Sequence, residues 1–375
     1  MRMTGLRTAL LILAITTLPI SSVAADTKPA VQHTDPSTIH GAVYVPFNVW
    51  NAPQMWKNFS LSETQRDFGY AQKLHVNALR LWASYEFWQT DPAKFKHEFD
   101  QLLGAANGAH IRILVSLFEN DGVAGTPENL WVTDPAKGFA IVSPAVEIST
   151  DKSKWDQPRA FVRWFMQNYK NDPRLIAIEI MNEPNPGRGG KANTVPFAQS
   201  MLQTAKSMQG SVPLTMGTDH LDIAQQFVPY GLDIIEIHNN FPKSTQQLEQ
   251  QIEEALAFGK EHNLPVWLTE WQRIRPSGSG WGNQKLTKEE LDIDYASMAA
   301  TVHKYPIGNF FWSLMVKPAY LVPQRRKGTV SGLFWPDGSV WSLKDARSVA
   351  DDPKLNLKEK PLPANYRDYV KPQPK

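Results

Sequence analysis

The chain contains 375 residues, which is enough for one large barrel or two ordinary domains. Its formal net charge is only +2, so the composition indicates neither nucleic acid nor an anionic membrane surface as a partner. Because the sequence has no cysteine, disulfide bonds, thiolate chemistry and lipoprotein-type acylation of the mature protein are excluded.

The N-terminus has the order of segments found in a secretory signal peptide. Arg2 and Arg7 provide a positive start, an apolar stretch covers Ala9–Ile20, and small residues at Ser22–Ala25 offer a cleavage site. An uncleaved anchor helix is the alternative, but the apolar stretch is short for a bilayer span. We therefore predict a signal peptide over residues 1–25 and a mature protein that is secreted or periplasmic and not attached to a membrane.

After a polar, flexible lead-in at residues 26–38, apolar runs alternate with helical patterns, which is typical of β/α units around a parallel sheet. The runs predict eight strands: Gly41–Phe47, Ala78–Trp82, Ile111–Leu117, Leu175–Met181, Pro213–Gly217, Ile234–His238, Val266–Glu270 and Asn309–Leu314. Eight units favour an α/β fold with a single (β/α)8 TIM barrel domain over residues 39–352. An open doubly wound sheet is the alternative, but the glycine-rich loop of a nucleotide-binding sheet is missing from the sequence.

The spacing of apolar residues also predicts helices between the strands. Ser62–Gln65 has the pattern of a capping box at the start of the first helix. Later helices are predicted at Phe161–Tyr169, Phe197–Met208, Leu248–Phe258, Leu286–Val302 and Ser342–Ala350. Residues 353–375 are rich in proline and lysine, and we expect them to form a surface tail.

Two of the predicted strands end abruptly in a glutamate. Glu183 follows the apolar run Leu175–Met181, and Glu270 closes the run Val266–Glu270. An unpaired charge at the end of a buried strand is costly for stability. Since catalytic groups of a barrel lie at the carboxyl ends of its strands, the two glutamates indicate paired carboxylates for acid/base and nucleophilic work, as in glycoside hydrolysis.

At these strand ends the sequence resembles glycoside hydrolase family 5, within the larger clan A of barrel glycosidases. The resemblance rests on Ile180-Met181-Asn182-Glu183-Pro184 at the fourth strand and Thr269-Glu270 at the seventh, and it covers essentially the whole mature chain. Further strand ends agree with it at Arg80, His238 and Trp312.

The resemblance implies a role for each matching residue. Glu183 would be the general acid/base, Glu270 the nucleophile, Asn182 the contact to the sugar 2-hydroxyl, and Trp312 the floor beneath that sugar. Arg80 is expected to pair with Glu270, so that Glu183, which has no such partner, stays protonated for donation to the leaving oxygen. Structural ion pairs and simple barrel packing are the alternatives for these residues.

Several positions leave alternatives open. His238 either contacts the substrate or is a satisfied barrel histidine. Many family members carry a tyrosine two residues after this histidine, where the present sequence has Asn240. Either Asn240 does a related job at the nucleophile, or another aromatic residue approaches it: Tyr44, Tyr85 or Tyr320. We interpret Glu179, which lies deeper on the fourth strand, as an internal polar brace.

The sequence contains thirteen tryptophans, an unusually high number that the packing of a large core explains only in part. An aromatic ring can cover the apolar face of a sugar. Trp82, Trp131, Trp281 and Trp335 lie at strand ends or in long loops, and we expect them to flank the two glutamates as sugar-binding platforms. The alternative is that loop aromatics only anchor their loops.

The sequence therefore predicts a secreted, retaining β-glycoside hydrolase that cleaves β-1,4-linked polysaccharide or oligosaccharide, of the endo-acting mannanase or cellulase type. If the loop tryptophans are buried away from the groove, an exo-acting pocket closed by the long loop from Glu119 to about Asp156 is the alternative. A catalytically inactive carbohydrate-binding barrel and a transglycosylase with the same two glutamates are alternatives. Such a mechanism needs no cofactor and no metal, and the nine histidines include no His-Glu-x-x-His motif. We expect a monomer whose partner is the glycan.

Overall fold

The computed structural model describes residues 30–132, 134 and 138–363. The predicted signal peptide and the tail beyond residue 363 lie outside the described residues. Within the described part of the chain, no helix combines the length and the apolar character needed to cross a lipid bilayer.

Eight parallel strands form a nearly closed barrel, which confirms the predicted (β/α)8 architecture. The strands are β1 (His40–Val43), β2 (Ala78–Trp82), β3 (Arg112–Glu119), β4 (Leu175–Asn182), β5 (Leu214–Gly217), β6 (Ile235–Asn239), β7 (Val266–Trp271) and β8 (Gly308–Phe311). They follow the order β5-β4-β3-β2-β1-β8-β7-β6. At the seam between β5 and β6, the Asp233 amide donates to the Leu214 carbonyl at 2.9 Å. The carboxyl ends of all eight strands therefore meet on one face of the barrel.

Helices connect the strands and cover the outside of the barrel. They are α1 (Ala52–Lys57), α2 (Leu61–Lys73), α3 (Tyr85–Thr90), α4 (Pro92–Gly108), α5 (Pro127–Trp131), α6 (Val146–Ser149), α7 (Asp156–Tyr169), α8 (Val195–Met208), α9 (Leu221–Ala224), α10 (Thr245–His262), α11 (Lys288–Leu291), α12 (Ala296–His303), α13 (Val322–Lys327) and α14 (Leu343–Ala350). Two short antiparallel strands, β9 (Lys317–Pro318) and β10 (Val330–Ser331), lie in the last long loop.

Charged side chains fill the barrel interior below its open face. Arg80 on β2, Glu179 on β4 and Glu236 on β6 are fully buried. Arg80 donates to the two carboxylate oxygens of Glu179 at 2.6 and 2.7 Å, so Glu179 lies where an internal brace is expected. Burial, together with the negative charge of Glu179, raises the pKa of Glu236 to about 8. Glu236 is therefore mostly neutral at pH 7.

The first long helix begins earlier than its predicted capping box. Its N-cap is Ser60, whose hydroxyl accepts a hydrogen bond from the Glu63 amide at 3.3 Å. Ser62 lies inside the first turn of α2. The prediction was wrong by two residues because Ser60 and Ser62 each have a Glu or Gln three residues later, and only the backbone conformation selects the serine that caps.

The predicted helix Leu286–Val302 is divided into two helices, α11 and α12. Arg273 enters at the division, where its guanidinium donates to the carbonyl groups of Leu291 and Asp292. These carbonyls would accept from the next turn in a continuous helix, so the arginine takes the place of that turn. Helical spacing on both sides of the break made the segment look continuous.

The chain stays attached to the barrel beyond the predicted domain boundary at residue 352. The Val340 amide donates to the Lys358 carbonyl, and the Lys360 amide donates back to the Val340 carbonyl, both at 2.8 Å. The Trp335 indole donates to the Lys360 carbonyl at 2.9 Å. The predicted boundary is therefore too early, and the first part of the expected surface tail belongs to the folded domain.

Gly41 on β1 is a position where the barrel leaves no room for a side chain. A Cβ atom on this glycine would lie 2.2 Å from the Phe310 ring. We expect Gly41→Ala to lower the free energy of unfolding by about 1–3 kcal/mol, measured by urea denaturation, because overpacking forces the buried ring to move. Gly69→Ala is the matched control, since nothing lies within 4 Å of that position in α2; it should stabilise by about 0.5–1 kcal/mol. Equal stability of Gly41→Ala and wild type would contradict this packing.

Candidate active site

The two predicted glutamates lie together at the open face of the barrel. Glu270 belongs to β7, and Glu183 directly follows β4. One carboxylate oxygen of each, together with a ring nitrogen of His238, lie within 4.8 Å of one another. The backbone of Glu183 has a φ of +45°, a left-handed conformation that costs energy in residues other than glycine. Its amide donates to the Gly217 carbonyl at 2.8 Å, and this bond to the end of β5 fixes the residue in place.

Arg80 links Glu270 to the barrel interior. Its Nη1 donates to Glu270 Oε1 at 2.7 Å, which is the pairing that the sequence predicts. Its Nη2 also donates to Asn182 Oδ1 at 2.6 Å. Because Arg80 is fully buried, these charge-assisted hydrogen bonds act in a medium that screens them poorly. The guanidinium therefore compensates the negative charge of Glu270 and orients the Asn182 amide.

Asn240 holds the second oxygen of Glu270. Its Nδ2 donates to Glu270 Oε2 at 2.9 Å, and its own Oδ1 accepts from Gln272 Nε2 at 2.9 Å. Ser331 on β10 in turn donates to Gln272 Oε1 at 2.9 Å. Of the alternatives left open by the sequence, the structure thus brings Asn240 to Glu270, whereas Tyr44 donates to Asp67 instead.

Glu183 differs from Glu270 in its surroundings. Its Oε1 lies 2.7 Å from His238 Nδ1, and its side chain is 14% exposed. Burial, followed by the negative charges of Asp121 and Glu270, raises the pKa of Glu183 well above its usual range. Burial also lowers the pKa of His238, so this imidazole is neutral at pH 7 and does not offset the carboxyl group. The arrangement favours a protonated Glu183 beside a charge-compensated Glu270.

Glu119 is a site residue that the sequence interpretation did not select. It ends β3, and its Oε1 accepts from Asn182 Nδ2 and from the Asp121 amide, both at 2.7 Å. Burial, followed by the charge of Asp121, raises the pKa of Glu119 well above its usual range. The strand-end rule that identified Glu183 and Glu270 applies equally to Glu119, so the signal was present in the sequence.

Trp312 follows β8 and forms one wall beside the glutamates. Its carbonyl accepts from the Tyr295 hydroxyl at 2.6 Å, and that hydroxyl accepts from the Ser313 amide at 2.9 Å. Trp82 and Tyr320 pack edge-on against the Trp312 ring, with centroid distances of 6.0 and 5.5 Å. The indole is therefore fixed from both sides before any ligand binds.

Three adjoining pockets extend along this face. The catalytic pocket, of about 570 Å³, is lined by Glu119, Glu183, Glu270 and Trp312. The outer groove, of about 1670 Å³, is lined by Glu183 but not by Glu270. The inner pocket, of about 490 Å³, shares Glu119, Trp312 and Tyr320 with the catalytic pocket. The glutamates thus lie between a wide groove and a smaller inner space.

The four predicted sugar platforms take different positions. Trp281 is 45% exposed and lines both the catalytic pocket and the outer groove, where a platform is expected. Trp82 is buried behind Trp312 and reaches only the inner pocket. Trp131 lies outside the pockets lined by the glutamates, beneath the ammonium group of Lys57. Trp335 is buried, and its indole donates to the Lys360 carbonyl, away from the three pockets. Its prediction as a sugar platform was therefore wrong.

Glu183, His238 and Glu270 form a group of donor atoms, among the described residues, that could hold a metal ion. Arg80 already places a positive charge 2.7 Å from Glu270, on the side where a cation would bind. Repulsion by this guanidinium disfavours a divalent cation, whereas a proton on Glu183 is compatible with it. We therefore interpret the group as two carboxyl groups with an imidazole neighbour and not as a metal site.

The family model for cellulase, glycosyl hydrolase family 5, matches residues 41–317 of the chain. The chain belongs to glycosyl hydrolase family 5. It is therefore a member of a family of glycoside hydrolases, with a polysaccharide or oligosaccharide as the implied substrate. No relative was found among curated protein sequences.

Solved structures share the fold of this family 5 member. The exo-β-1,4-mannosidase Op5Man5 from Opitutaceae bacterium strain TAV5 has a TM-score of 0.59 at 17% identity, covering 83% of this chain and 58% of that one. A GH5_18 variant from Streptomyces cattleya in complex with Manβ1-4GlcNAc has a TM-score of 0.57 at 14% identity, with coverage of 84% and 79%. The endo-β-1,4-mannanase from Thermotoga petrophila has a TM-score of 0.53 at 12% identity, with coverage of 87% and 76%.

Asn240 should contribute to turnover through its hydrogen bond to Glu270. We expect Asn240→Ala to lower kcat about 10- to 100-fold with little change in KM, because a hydrogen bond to a charged group contributes about 1.5–3 kcal/mol. Asn240→Asp should lower kcat further, since it places a second carboxylate against Glu270. Steady-state kinetics on aryl β-glycosides measure both variants. An unchanged kcat in Asn240→Ala would show that Arg80 alone positions the nucleophile.

Proposed function

We propose that this protein is a retaining β-glycoside hydrolase acting on β-1,4-linked glycans of the mannan or glucan type. The observation that carries the proposal is the proximity of Glu183 and Glu270, which have carboxylate oxygens within 4.8 Å of each other. Retaining glycosidases hold their two carboxyl groups about 5–5.5 Å apart, whereas inverting enzymes need about 6.5–9.5 Å to admit a water molecule. The shorter separation supports double displacement.

In the first step, a Glu270 oxygen attacks the anomeric carbon of the sugar in the catalytic pocket. The bond from this carbon to the leaving oxygen breaks, and the proton of Glu183 passes to that oxygen. Arg80 and Asn240 each hold one oxygen of Glu270, which keeps the carboxylate in a fixed orientation for attack.

In the second step, Glu183 has lost its proton and acts as a base. It takes a proton from water, the water oxygen attacks the anomeric carbon, and the bond to Glu270 breaks. A sugar hydroxyl in place of water would give transglycosylation with the same residues. The complete set of Arg80, Asn182, Glu183 and Glu270 disfavours the alternative of an inactive carbohydrate-binding barrel.

Mannose and glucose are the two candidates for the sugar in the catalytic pocket. The similar solved structures include a mannosidase and a mannanase by name, so β-mannosides and β-glucosides should be tested side by side. We propose in addition that the enzyme is exported by its predicted N-terminal signal and acts as a monomer. N-terminal sequencing of the mature protein and light scattering test these two points.

Replacing the proposed acid should separate substrates by their leaving groups. We expect Glu183→Gln to lower kcat/KM on unactivated glycans by about 10²–10⁴, because their leaving oxygen must be protonated. Aryl glycosides with a dinitrophenol leaving group need little protonation, so the variant should still release a burst of phenol. Glu147→Gln, at an exposed glutamate, is the control. Equal loss on both substrate types would contradict the assignment.

The raised pKa of Glu183 also predicts the pH dependence of kcat/KM. Activity should fall as the pH rises through this pKa, because the acid must be protonated in the free enzyme. In Glu183→Gln this decline should be absent from the burst of phenol release. A pH profile of each form measures the difference, and an identical decline in both would assign it to another group.

The stereochemistry of the first product tests Glu270 as a nucleophile. A covalent intermediate requires two inversions, so a β-glycoside should release the β-anomer first. Proton NMR recorded before mutarotation detects which anomer appears. Initial release of the α-anomer would contradict double displacement.

A further inference from the structure

We propose that the enzyme attacks glycans from their non-reducing end and releases one sugar at a time, because the pocket beyond the cleavage point is closed. This inference rests on the proposed function, and it selects the exo-acting pocket that the sequence leaves as the alternative to endo action.

The two glutamates fix the direction of the glycan. The leaving oxygen must be next to Glu183, and the attacked carbon next to Glu270. Glu183 lines both the outer groove and the catalytic pocket. Of these two, Glu270 lines only the catalytic pocket. The outer groove is therefore the leaving-group side, and the inner pocket lies on the non-reducing side of the sugar.

A strap formed by residues 138–143 contributes Ala140, Ile141 and Ser143 to the wall of the inner pocket. One end pairs with the end of β3, where the Glu119 amide donates to the Ser143 carbonyl at 2.7 Å and the Ser143 amide donates back at 2.8 Å. In its middle, the Val123 amide donates to the Ala140 carbonyl at 2.9 Å, and the Ala140 amide donates to the Tyr320 carbonyl at 3.3 Å. The strap is thus tied to loops on both sides of the barrel opening.

Arg325 clamps the other end of the strap. Its Nη2 donates to the Gly138 carbonyl at 2.6 Å, and its guanidinium lies 4.5 Å from the ring centroids of both Trp50 and Phe139. Arg325 is itself buried. A Cβ on Gly138 would lie 2.2 Å from the Trp50 ring, so the strap backbone sits directly against this ring. The closure is therefore a packed contact and not a loop lying over solvent.

The inner pocket is poorly suited to a second sugar. Its lining is mostly apolar and includes no exposed residue: Val45, Trp50, Asn51, Ala52, Pro53, Trp82, Ala83, Leu117, Phe118, Glu119, Ala140, Ile141, Ser143, Trp312 and Tyr320. Asn51 already caps α1 by accepting from the Gln54 amide at 3.0 Å, and Ser143 donates to Glu86 at 2.8 Å. The Glu119 carboxyl group and the Trp82 indole N–H are the polar groups that remain, so sugar hydroxyls buried there would regain only part of the hydrogen bonds that they lose to water.

The outer groove has the opposite character. Arg188, Lys191, His220 and Trp281 in its lining are exposed, so solvent reaches this side freely. A long chain can therefore extend from the cleavage point on the leaving-group side, while the terminal sugar occupies the catalytic pocket. This asymmetry is what an enzyme that removes terminal units requires.

The products of labelled oligosaccharides test the inference. Wild-type enzyme is incubated with β-1,4-linked mannopentaose and cellopentaose that carry a fluorophore at the reducing end, and the products are separated over time. We expect the labelled tetrasaccharide to appear first, then the trisaccharide, together with unlabelled monosaccharide. Early formation of labelled products of mixed length would overturn the inference.

The clamp itself is tested with Arg325→Ala, and Arg326→Ala is the matched control at an exposed neighbour. Loosening the strap should let a chain pass through the inner pocket, so Arg325→Ala should produce labelled products of mixed length, whereas Arg326→Ala should keep the wild-type pattern. A wild-type pattern in soluble Arg325→Ala would overturn the role of the clamp. If this variant fails to fold, the wild-type product series still decides the inference.

Failure of the inference and failure of the proposed function are distinguishable. Wild-type enzyme that hydrolyses aryl β-glycosides but cuts oligosaccharides at mixed positions retains the proposed function and refutes only chain-end attack. If wild-type enzyme is inactive on aryl β-mannosides, on aryl β-glucosides and on the labelled oligosaccharides, both the proposed function and chain-end attack are refuted.

Discussion

The buried guanidinium of Arg80 is the interaction on which the rest of the site depends. It is fully buried and touches Glu179, Asn182 and Glu270 from the centre of the barrel. Without it, two carboxylates would share a space with little solvent, and desolvation would drive protons onto both of them. With it, the Glu270 carboxyl group has a cationic hydrogen-bond partner, while burial raises the pKa values of Glu183, Glu119 and Glu236. One cation thus gives Glu270 surroundings that differ from those of Glu183, as the proposed roles of nucleophile and acid require.

Much of the fold follows from local sequence patterns. Each β-strand is a short apolar run of the right length, and the carboxyl ends of parallel strands must meet on one face. This is why residues far apart in sequence, such as Arg80 and Glu270, which are 190 positions apart, could be predicted to lie together. The same rule applied to β3 would also have identified Glu119.

The contacts that were missed depend on distant parts of the chain that have no common pattern. Trp335 looks like a loop aromatic, and only the return of the chain at Lys360 buries it. Arg273 ends α11 from a position 18 residues earlier, and Arg325 reaches Gly138 across 187 residues. Such contacts are set by how loops pack on the finished barrel, so neither hydrophobic periodicity nor capping motifs encode them.

Asn240 stands where many family members carry a tyrosine, and it contacts Glu270 through a different chemical group. A carboxamide donor does not titrate, so its hydrogen bond to Glu270 persists over a wider pH range than one from a phenol, which loses its proton near pH 10. The amide must, however, be oriented, because its oxygen would repel the nucleophile if the group were flipped. Gln272 prevents this by donating to the Asn240 oxygen, and Ser331 fixes Gln272 in turn. The orientation of Glu270 is therefore tied to β10, in the same loop that contains the Arg325 clamp, so this loop supports both the Glu270 carboxyl group and the strap beside the inner pocket.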